Sequence, residues 1–491
     1  MRAIFQKFHR SPSLFPSIAG LLALTTFAAF LVNCSGGSGS MTSMMGTGTG
    51  TIHVSITDPP SCAFPNGSFQ HVFVTIRSVR AHINSDADDN DPGWQELVPE
   101  LNNQSVQIDL FAAASTTCLL TALGSNTALP AGTYQQIRLI LLANDGGNGP
   151  LPASNACGDQ GFNCVVLHDG SIHELQLSSQ AHNGLKILPG IKVAAGQDVD
   201  LNIDFSACAS IHQEGNGKFR LKPVLRPSEV STNHTGISGQ AVDSATGLPI
   251  AAGSVLVALE QQDNSGADVI IMQAAADALG DFNFCPLPAG ATFDVVVVAI
   301  NGAGVAYNAT VIIGVPGGTA LGAIPLIAET GVATGPATLQ GFVTATTGMT
   351  PPTPAALDAT VTALQSVNVG GGAMRLVTIP AEGNSTPNIS VTSNSTCPLT
   401  APMNTNCAPY TLIEPASNPS VGVFSGGKIS YAAPPSGDVP YSVRADASDT
   451  SGNPDCTKPT QTTSQDALGN PLKVTPGATV TPMEIDFKGC S

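Results

Sequence analysis

Residues 69–83, FQHVFVTIRSVRAHI, contain the pattern that decides the fold class. Apolar and polar side chains alternate along this stretch, and many of the apolar ones are β-branched, which is typical of a half-buried strand. The pattern recurs in TIHVSITD (51–58), QQIRLILLA (135–143) and VDLNIDF (199–205). No window of twelve or more residues has a convincing helical period, and FAAASTTCLLTAL (111–123) is the best candidate for a short helix. We therefore predict an all-β protein built from serial β-sandwich domains.

The composition bounds the number of domains and the class of partner. The chain has 491 residues, of which 42% are hydrophobic, so its 51 glycines and 37 prolines indicate frequent turns rather than disorder. A chain of this length makes about three domains of ordinary size. The net charge of −17 argues against a partner rich in phosphate, such as nucleic acid. No glycine-rich phosphate loop opens a helix, so we expect no nucleotide partner either.

The N-terminus has the parts of an export signal. Arg2, Lys7 and Arg10 precede an uncharged apolar stretch at 18–32, which suits a signal peptide and is too short to span a bilayer. The stretch ends in Leu31-Val32-Asn33-Cys34, which resembles the lipobox of bacterial lipoproteins. The resemblance implies that residues 1–33 are a signal peptide and that Cys34 is lipidated. The mature chain would then carry a net charge of −20, because all three positive charges of this segment are removed.

Asn33 departs from the small residue that the lipobox usually has before its cysteine. The alternative is an ordinary signal peptide cut elsewhere, which would leave Cys34 as a free thiol. The segment that follows favours the anchor, because the rest of residues 34–49 is a Gly/Ser/Thr-rich stretch typical of a flexible tether. Ser35 stands where some bacteria place an aspartate for inner-membrane retention. We therefore expect a cell-envelope protein, lipid-anchored to the outer membrane on its periplasmic or surface face.

The cysteines also indicate export. Eleven are present, and lipidation of Cys34 leaves ten, an even number that can form disulfides in an oxidising compartment. Short separations make three pairs the easiest to form: Cys157–Cys164, Cys397–Cys407 and Cys456–Cys490. The partners of the other four stay open: Cys62, Cys118, Cys208 and Cys285. A zinc site is disfavoured, since no C-x-x-C pair is present.

Residues 50–228 resemble a bacterial lipoprotein domain known as domain of unknown function 4382. Seven blocks carry the resemblance in order: GTIHVSITDPP (50–60), VFVTIRSVRAHI (72–83), Trp94, IDLFAA (108–113), LPAGTYQQIRLIL (129–141), GLKILPGIKVAAGQDVDLNIDF (184–205) and SIHQEGNGKFRLKPVLR (210–226). The resemblance implies no activity, because none is assigned to the family. The insertion that holds Cys157 and Cys164 looks specific to this chain.

Residues 233–330 resemble a carboxypeptidase-regulatory-like domain, a prealbumin-type β-sandwich. The resemblance lies in ISGQAVDSATGLPIAAGSVLVAL (237–259) and in DFNFCPLPAGATFDVVVVAI (281–300), where turns separate the apolar runs. Such domains accompany catalytic and surface modules and are not themselves peptidases. We predict that residues 336–491 form a diverged second copy with an insertion that includes residues 382–411. In this alignment Tyr431 corresponds to Phe284.

One acidic loop is a candidate calcium site. Asp86, Asp88, Asn90 and Asp91 supply oxygen atoms in a loop that ends in Pro92-Gly93, and clustered aspartates can bind calcium. The EF-hand spacing is absent, and a solvated hairpin tip is the alternative, because Asp and Asn are common turn residues. His168, His173 and His182 lie near one another in sequence, but five residues separate the first two, which puts them on opposite faces of a strand. We predict no cofactor other than this calcium.

Two classes of function remain. The first is a non-enzymatic cell-envelope lipoprotein, a binding or structural surface module whose partner is the membrane and either a polysaccharide or an envelope protein. The alternative is an envelope-associated hydrolase of polysaccharide or peptide with an unrecognised active site. No G-x-S-x-G elbow or other nucleophile motif occurs in its required context, so we favour the first. The lone Trp94 and an aromatic content of 5% also argue against a developed sugar-stacking surface.

Overall fold

Strands make up nearly all the regular structure of the chain. The computed structural model describes residues 48–57, 69–110, 121–177, 184–187, 191–205, 210–213, 218–221, 225–230, 235–250, 254–287, 290–331, 333–383, 385–394, 397, 405–448 and 455–490. Two short 3₁₀ helices, Pro99–Asn102 and Gly158–Gln160, interrupt the strands. No helix of the described residues is long and apolar enough to cross a membrane. The predicted all-β class is confirmed.

The described part of the first body contains strands β1 to β16. In chain order they are Thr49–Thr57, His71–His82, Gln95–Glu96, Val106–Asp109, Thr121–Ala122, Thr127–Pro130, Gly132–Tyr134, Gln136–Leu141, Cys164–Val166, Ile172–Leu177, Leu185–Ile187, Ile191–Val193, Asp198–Phe205, Ile211–Gln213, Phe219–Leu221 and Leu225–Val230. The strands predicted from alternation are β1, β2, β8 and β13. The helix expected at 111–123 falls mainly outside the described residues, and Thr121–Ala122 at its end are a strand.

Two sheets enclose the core of the first body. One has the order β16-β13-β1-β5, and the other has the order β11-β8-β2-β9-β10-β15-β14. Alternate residues of β2 are buried, including Val72, Val74 and Ile76, and they pack in one cluster with Ile52 of β1. Because a strand turns successive side chains to opposite faces, this alternation gives each sheet one apolar face, and burial of these faces holds the sandwich together.

The second body contains strands β17 to β23. They are Thr235–Asp243, Ser254–Gln262, Asp268–Ala275, Asp281–Leu287, Thr292–Ile300, Thr310–Pro316 and Ala320–Leu326. One of its sheets has the order β20-β17-β23. The turn before β20 requires Gly280, which has a φ of +76°, and a Cβ atom there would lie 2.4 Å from the Ala241 carbonyl oxygen. Any other residue would therefore strain this turn.

The third segment contains strands β24 to β36. They are Ala337–Thr347, Leu357–Asn368, Met374–Ile379, Asn388–Val391, Asn406–Glu414, Ser420–Ser425, Lys428–Ala432, Val439–Pro440, Ser442–Ser448, Thr460–Thr463, Lys473–Val474, Thr479–Val480 and Ile485–Cys490. One sheet has the order β28-β24-β35, with β36 also beside β24. Another has the order β26-β25-β32-β33, with β27 also beside β25.

The second and third segments share a sheet, which we call the shared sheet. Its order is β19-β18-β21-β22-β29-β30, so two strands from residues 420–432 extend the sheet of the second body. The join is a parallel pairing of β22 with β29, from Thr310 opposite Ser420 to Ile313 opposite Val423. The division at 330 and 336 stays a prediction, and the shared sheet crosses it.

The central strands of the shared sheet, β18 and β21, are buried on both faces. Val257, Leu259 and Val297 lie in the core of the second body. Leu256 and Val296, which point to the opposite face, lie in one apolar cluster with Val361 and other residues of the third segment. A strand buried on both faces needs a continuous apolar run rather than alternation, which explains the run VVVVAI in β21. The two bodies therefore share buried apolar surface as well as backbone hydrogen bonds.

The third segment repeats the strand pairing of the second. In the second body β20 pairs antiparallel with β17, and in the third β28 pairs antiparallel with β24. Gly239 faces Phe282 across the first pair, and Gly341 faces Tyr410 across the second, and each ring lies where a Cβ atom of the glycine would be. The correspondence of Tyr431 with Phe284 is therefore wrong. Tyr431 belongs to β30, which pairs with β29 instead.

A buried ion pair joins the first body to the third segment. Arg220 of β15 donates two hydrogen bonds to Asp358 of β25, at 2.8 and 2.5 Å. The hydroxyl of Ser390 accepts a further bond from Arg220 and donates one to Asp358. The side chain of Asp358 is fully buried. Bidentate arginine–carboxylate pairs fix orientation as well as adding energy, so this contact sets the first body against the third.

Candidate functional site

The acidic loop between β2 and β3 is an ordered hairpin tip. Asp86, Asp88, Asn90 and Asp91 are all exposed there. The Asp88 N–H donates to the Asp91 carboxylate at 2.9 Å, and the Asp91 N–H donates to the Asp88 carbonyl at 3.2 Å. Aspartate commonly makes such hydrogen bonds in turns. Calcium binding by this loop stays a prediction.

Trp94 lies under this loop among basic side chains. Its indole N–H donates to the Asp88 carbonyl at 2.9 Å. The guanidinium groups of Arg80 and Arg138 lie 4.5 and 4.9 Å from the centre of the ring, and both contact the carboxylate of Asp89. Cation–π contacts of this kind anchor the loop to the sheet that contains β2 and β8. The ring is thus engaged by the protein's own side chains.

The described residues include a serine–histidine contact, but its hydrogen bonds are not arranged for acyl transfer. The Ser171 hydroxyl lies 3.0 Å from Nε2 of His173 and donates to Asp169 at 2.6 Å. In a catalytic triad the acid accepts a hydrogen bond from the histidine, whereas here Asp169 accepts one from the serine. The Ser171 N–H also donates to Asp169, which is the bond of an ordinary turn. His168 is exposed, and His182 lies outside the described residues.

The predicted cysteine pairs are disulfides in the structure: Cys157–Cys164, Cys397–Cys407 and Cys456–Cys490. Asp455, Cys456 and Cys490 are the one group among the described residues whose three potential metal-binding atoms lie within 4.8 Å of one another. Both cysteines are oxidised, so neither offers a thiolate to a metal. Cys34, Cys62, Cys118 and Cys208 lie outside the described residues, as does the side chain of Cys285.

Sequence reasoning missed a cluster of buried carboxyl groups between the shared sheet and β26. Glu260, Asp268 and Asp294 project from three adjacent strands of the shared sheet, and all are buried. Arg375 of β26 contacts Asp294 and lies 3.9 Å from Asp268. The Thr378 N–H donates to Glu260 at 3.2 Å. We call the three carboxyl groups and Arg375 the Arg375 cluster. The alternation of β18 could have revealed this cluster. Glu260 stands four residues after Leu256 and therefore lies on the same face of the strand, which packs against the third segment.

Burial sets the protonation of the Arg375 cluster. It raises the pKa of Asp268 to about 8, aided by the neighbouring charge of Asp294, while Arg375 opposes the shift. Burial and the charge of Asp268 raise the pKa of Glu260 well above its usual range. One arginine therefore faces three buried carboxyl groups, and protons on Asp268 and Glu260 supply the rest of the compensation near neutral pH.

This raised pKa predicts that stability falls as pH rises from about 4 to about 8. In that window the unfolded chain ionises Asp268, whose ordinary pKa is 3.8, while the folded chain keeps the proton. Melting temperatures of the wild type should fall across this range, and D268N should flatten the profile. D438N, at a carboxylate that is 70% exposed, is the matched control and should leave the slope unchanged. A D268N profile parallel to the wild type would contradict the raised pKa.

Comparison with known proteins gives one family match. Residues 49–223 match the model of a domain described as domain of unknown function, DUF4382. This confirms the resemblance seen in residues 50–228. No curated protein matches the chain.

Solved structures give distant matches. The TIE protein of Bacillus anthracis is 10% identical with a TM-score of 0.14, and the match covers 90% of this chain and 50% of that one. This chain thus spans about half the length of that protein. A putative adhesin from Bacteroides ovatus is 10% identical, with a TM-score of 0.15 and coverage of 52% and 94%. A minor pilin of Streptococcus agalactiae is 9% identical, with a TM-score of 0.16 and coverage of 52% and 95%.

Proposed function

We propose that this protein is a non-enzymatic lipoprotein of the cell envelope, held through Cys34 and carrying a rigid three-body module that binds a partner or braces an assembly. The observation that carries the proposal is the shared sheet, through which the second and third segments form one layered unit. The Arg220–Asp358 pair adds the first body to that unit. Such a module presents fixed surfaces at a distance from its point of attachment, which suits recognition or support.

The disulfides support the exported location. Three disulfides lie in different parts of the chain, one in the first body and two in the third segment. Disulfides persist in the periplasm and at cell surfaces and are rare in the reducing cytosol. The tether at 34–49 would hold the folded bodies off the membrane, and Ser35 favours the outer membrane. The partner would be a polysaccharide or an envelope protein.

The resemblance of residues 233–330 to a carboxypeptidase-regulatory-like domain supports the same proposal. β17, β20 and β23 form one sheet there, and part of the shared sheet lies opposite, as in a β-sandwich. Domains of this type accompany other modules without supplying chemistry. A hydrolase would instead need a nucleophile with its base, or two carboxylates facing an open cleft. In the Ser171 contact the aspartate bonds to the serine rather than to the histidine, and the carboxyl groups of the Arg375 cluster are buried rather than facing an open cleft.

Anchoring is tested by C34A. Loss of the thiol removes the site of acylation, so we expect the protein to move from the membrane fraction to the soluble fraction and to lose incorporation of labelled palmitate. N33G, which restores a small residue before the cysteine, is the matched control and should remain membrane-bound and labelled. A C34A protein that stays in the membrane fraction would contradict the anchor.

Binding is tested with the soluble C34A chain on arrays of envelope and host polysaccharides. Saturable binding to one class would establish recognition, and loss of that binding in D86N/D88N would assign it to the acidic loop. The hydrolase alternative is tested on the same arrays by product release. Release of sugar products by the wild type would overturn the non-enzymatic proposal.

A further inference from the structure

A second group of buried carboxylates lies at the end of β28. Glu414 is the last residue of this strand and points inward with Tyr410 and Leu412, and all three are buried. Glu382 follows β26 and is fixed beside β28, because its N–H donates to the Ile413 carbonyl at 2.9 Å. The two glutamates therefore enter the same end of the core from neighbouring segments.

Hydrogen bonds hold the Glu382 turn in place. The Ser385 hydroxyl donates to the Glu382 carbonyl at 2.5 Å and accepts the Ile413 N–H at 2.8 Å. These bonds fix the backbone of both segments without using either carboxyl group. The positions of the two side chains are thus set by the fold.

All four carboxyl oxygens of Glu382 and Glu414 are buried and have no hydrogen-bond donor in the structure. One carboxyl oxygen of Glu329, in the segment that leads from β23 to β24, is likewise buried without a hydrogen-bond donor. The buried hydroxyl of Tyr441 does not serve them, since it donates to the Pro415 carbonyl at 2.9 Å. Burial raises the pKa of Tyr441, and the charges of Glu414, Glu382 and Glu329 raise it further.

The contrast with the Arg375 cluster identifies what this group lacks. There, an arginine and a backbone N–H face the carboxyl groups. None of the ion pairs among the described residues includes Glu329, Glu382 or Glu414. Burial of an ionised carboxylate without a partner costs far more than a fold can supply, so a proton or a cation must neutralise the pair.

We propose that Glu382 and Glu414 bind a calcium ion at the end of β28. Carboxylate oxygens are hard ligands, and calcium accepts irregular sets of six to eight oxygen atoms, whereas magnesium requires a near-ideal octahedron. No histidine or thiolate takes part, which disfavours zinc and copper. The ion thereby fastens the turn after β26 to the end of β28.

The test is calcium titration of the full chain after removal of metals with EDTA. We expect saturable binding of one ion at this site by calorimetry, a higher melting temperature, and weaker effects with magnesium. Calcium should release protons at pH 7, because burial raises the pKa values of Glu382 and Glu414 well above their usual range. Proton release is measured by repeating the titration in buffers of different ionisation enthalpy.

Isosteric variants separate this site from the acidic loop. E382Q and E414Q should each lower calcium affinity at least tenfold, while D86N/D88N should bind calcium as the wild type does. Circular dichroism in EDTA at pH 5 checks that the glutamine variants fold. Absence of calcium binding, with E382Q and E414Q more stable than wild type at pH 8, would overturn the proposal in favour of a protonated pair. Binding that survives in E382Q and E414Q but is lost in D86N/D88N would also overturn it.

Discussion

Replacement of Arg375 by methionine is expected to lower the stability of the folded chain by about 3–5 kcal/mol at pH 8, the cost typical of removing one partner from a buried ion pair. Methionine keeps much of the side-chain volume but leaves Asp268 and Asp294 without their cation. Both carboxyl groups are buried between the shared sheet and β26, so they are poorly solvated once the guanidinium group is removed. Urea denaturation monitored by far-ultraviolet circular dichroism measures this loss of stability.

The pH dependence of this loss distinguishes lost charge compensation from lost packing. At pH 5 Asp268 is protonated, because burial raises its pKa to about 8, so the deficit of R375M should be smaller there than at pH 8. D294N should restore part of the stability of R375M at pH 8. K473M is the control, because the Lys473–Asp438 pair is exposed and should contribute less than about 1 kcal/mol. A deficit below 1 kcal/mol at pH 8, or one that is equal at pH 5 and pH 8, would contradict the electrostatic account.

Replacement of Arg220 by methionine is expected to separate the first body from the rest of the chain. Asp358 would remain buried with only the Ser390 hydroxyl bond, and the loss should again be about 3–5 kcal/mol. The first body should then become more sensitive to protease and should lose structure at lower temperature than residues 235–490. Limited proteolysis with mass spectrometry identifies which body is cut first.

The double variant R220M/D358L isolates the pair itself. Because removal of both charges leaves no buried ion without a partner, the double variant should be more stable than either R220M or D358L alone. Losses in the single variants that add up in the double variant would show that the two residues act independently. That result would contradict the role of this pair in joining the first body to the third segment.

Local pattern was sufficient to predict the strands and the fold class. Alternation identified β1, β2, β8 and β13, because one face of each lies on a core. Sequence separation also indicated the disulfides, since cysteines close in the chain can pair with little distortion. The family resemblance of the first body rested on many short blocks in order, and it agrees with the match at 49–223.

Long-range pairing was not predictable in this way. β29 and β30 have the same alternation whether they join their own segment or the preceding one, so nothing local indicates that they extend the shared sheet. The alignment likewise matched Tyr431 with Phe284, although the ring that faces Gly341 is Tyr410. Sequence similarity between short strands is weak when insertions separate them, whereas strand pairing shows the correspondence directly.

The buried carboxyl groups were missed because acidic residues in a strand are usually taken as its solvent face. Glu414 stands two residues after Leu412 and four after Tyr410, so its phase predicts an inward side chain. Glu382 follows no such rule, since it lies in a turn that only the tertiary fold brings to β28. The acidic loop was predicted as the calcium site instead, because its four oxygen-bearing residues lie close together in the sequence.

The central structural claim is that the second and third segments form one folded unit through the shared sheet. Hydrogen-exchange mass spectrometry across a urea titration tests it most directly, with peptides from β18 and β21 compared with peptides from β25 and β32. The account predicts that all four strands lose protection at the same urea concentration. Loss of protection in β18 and β21 while β25 and β32 remain fully protected would contradict it and would show two separate domains joined by a linker.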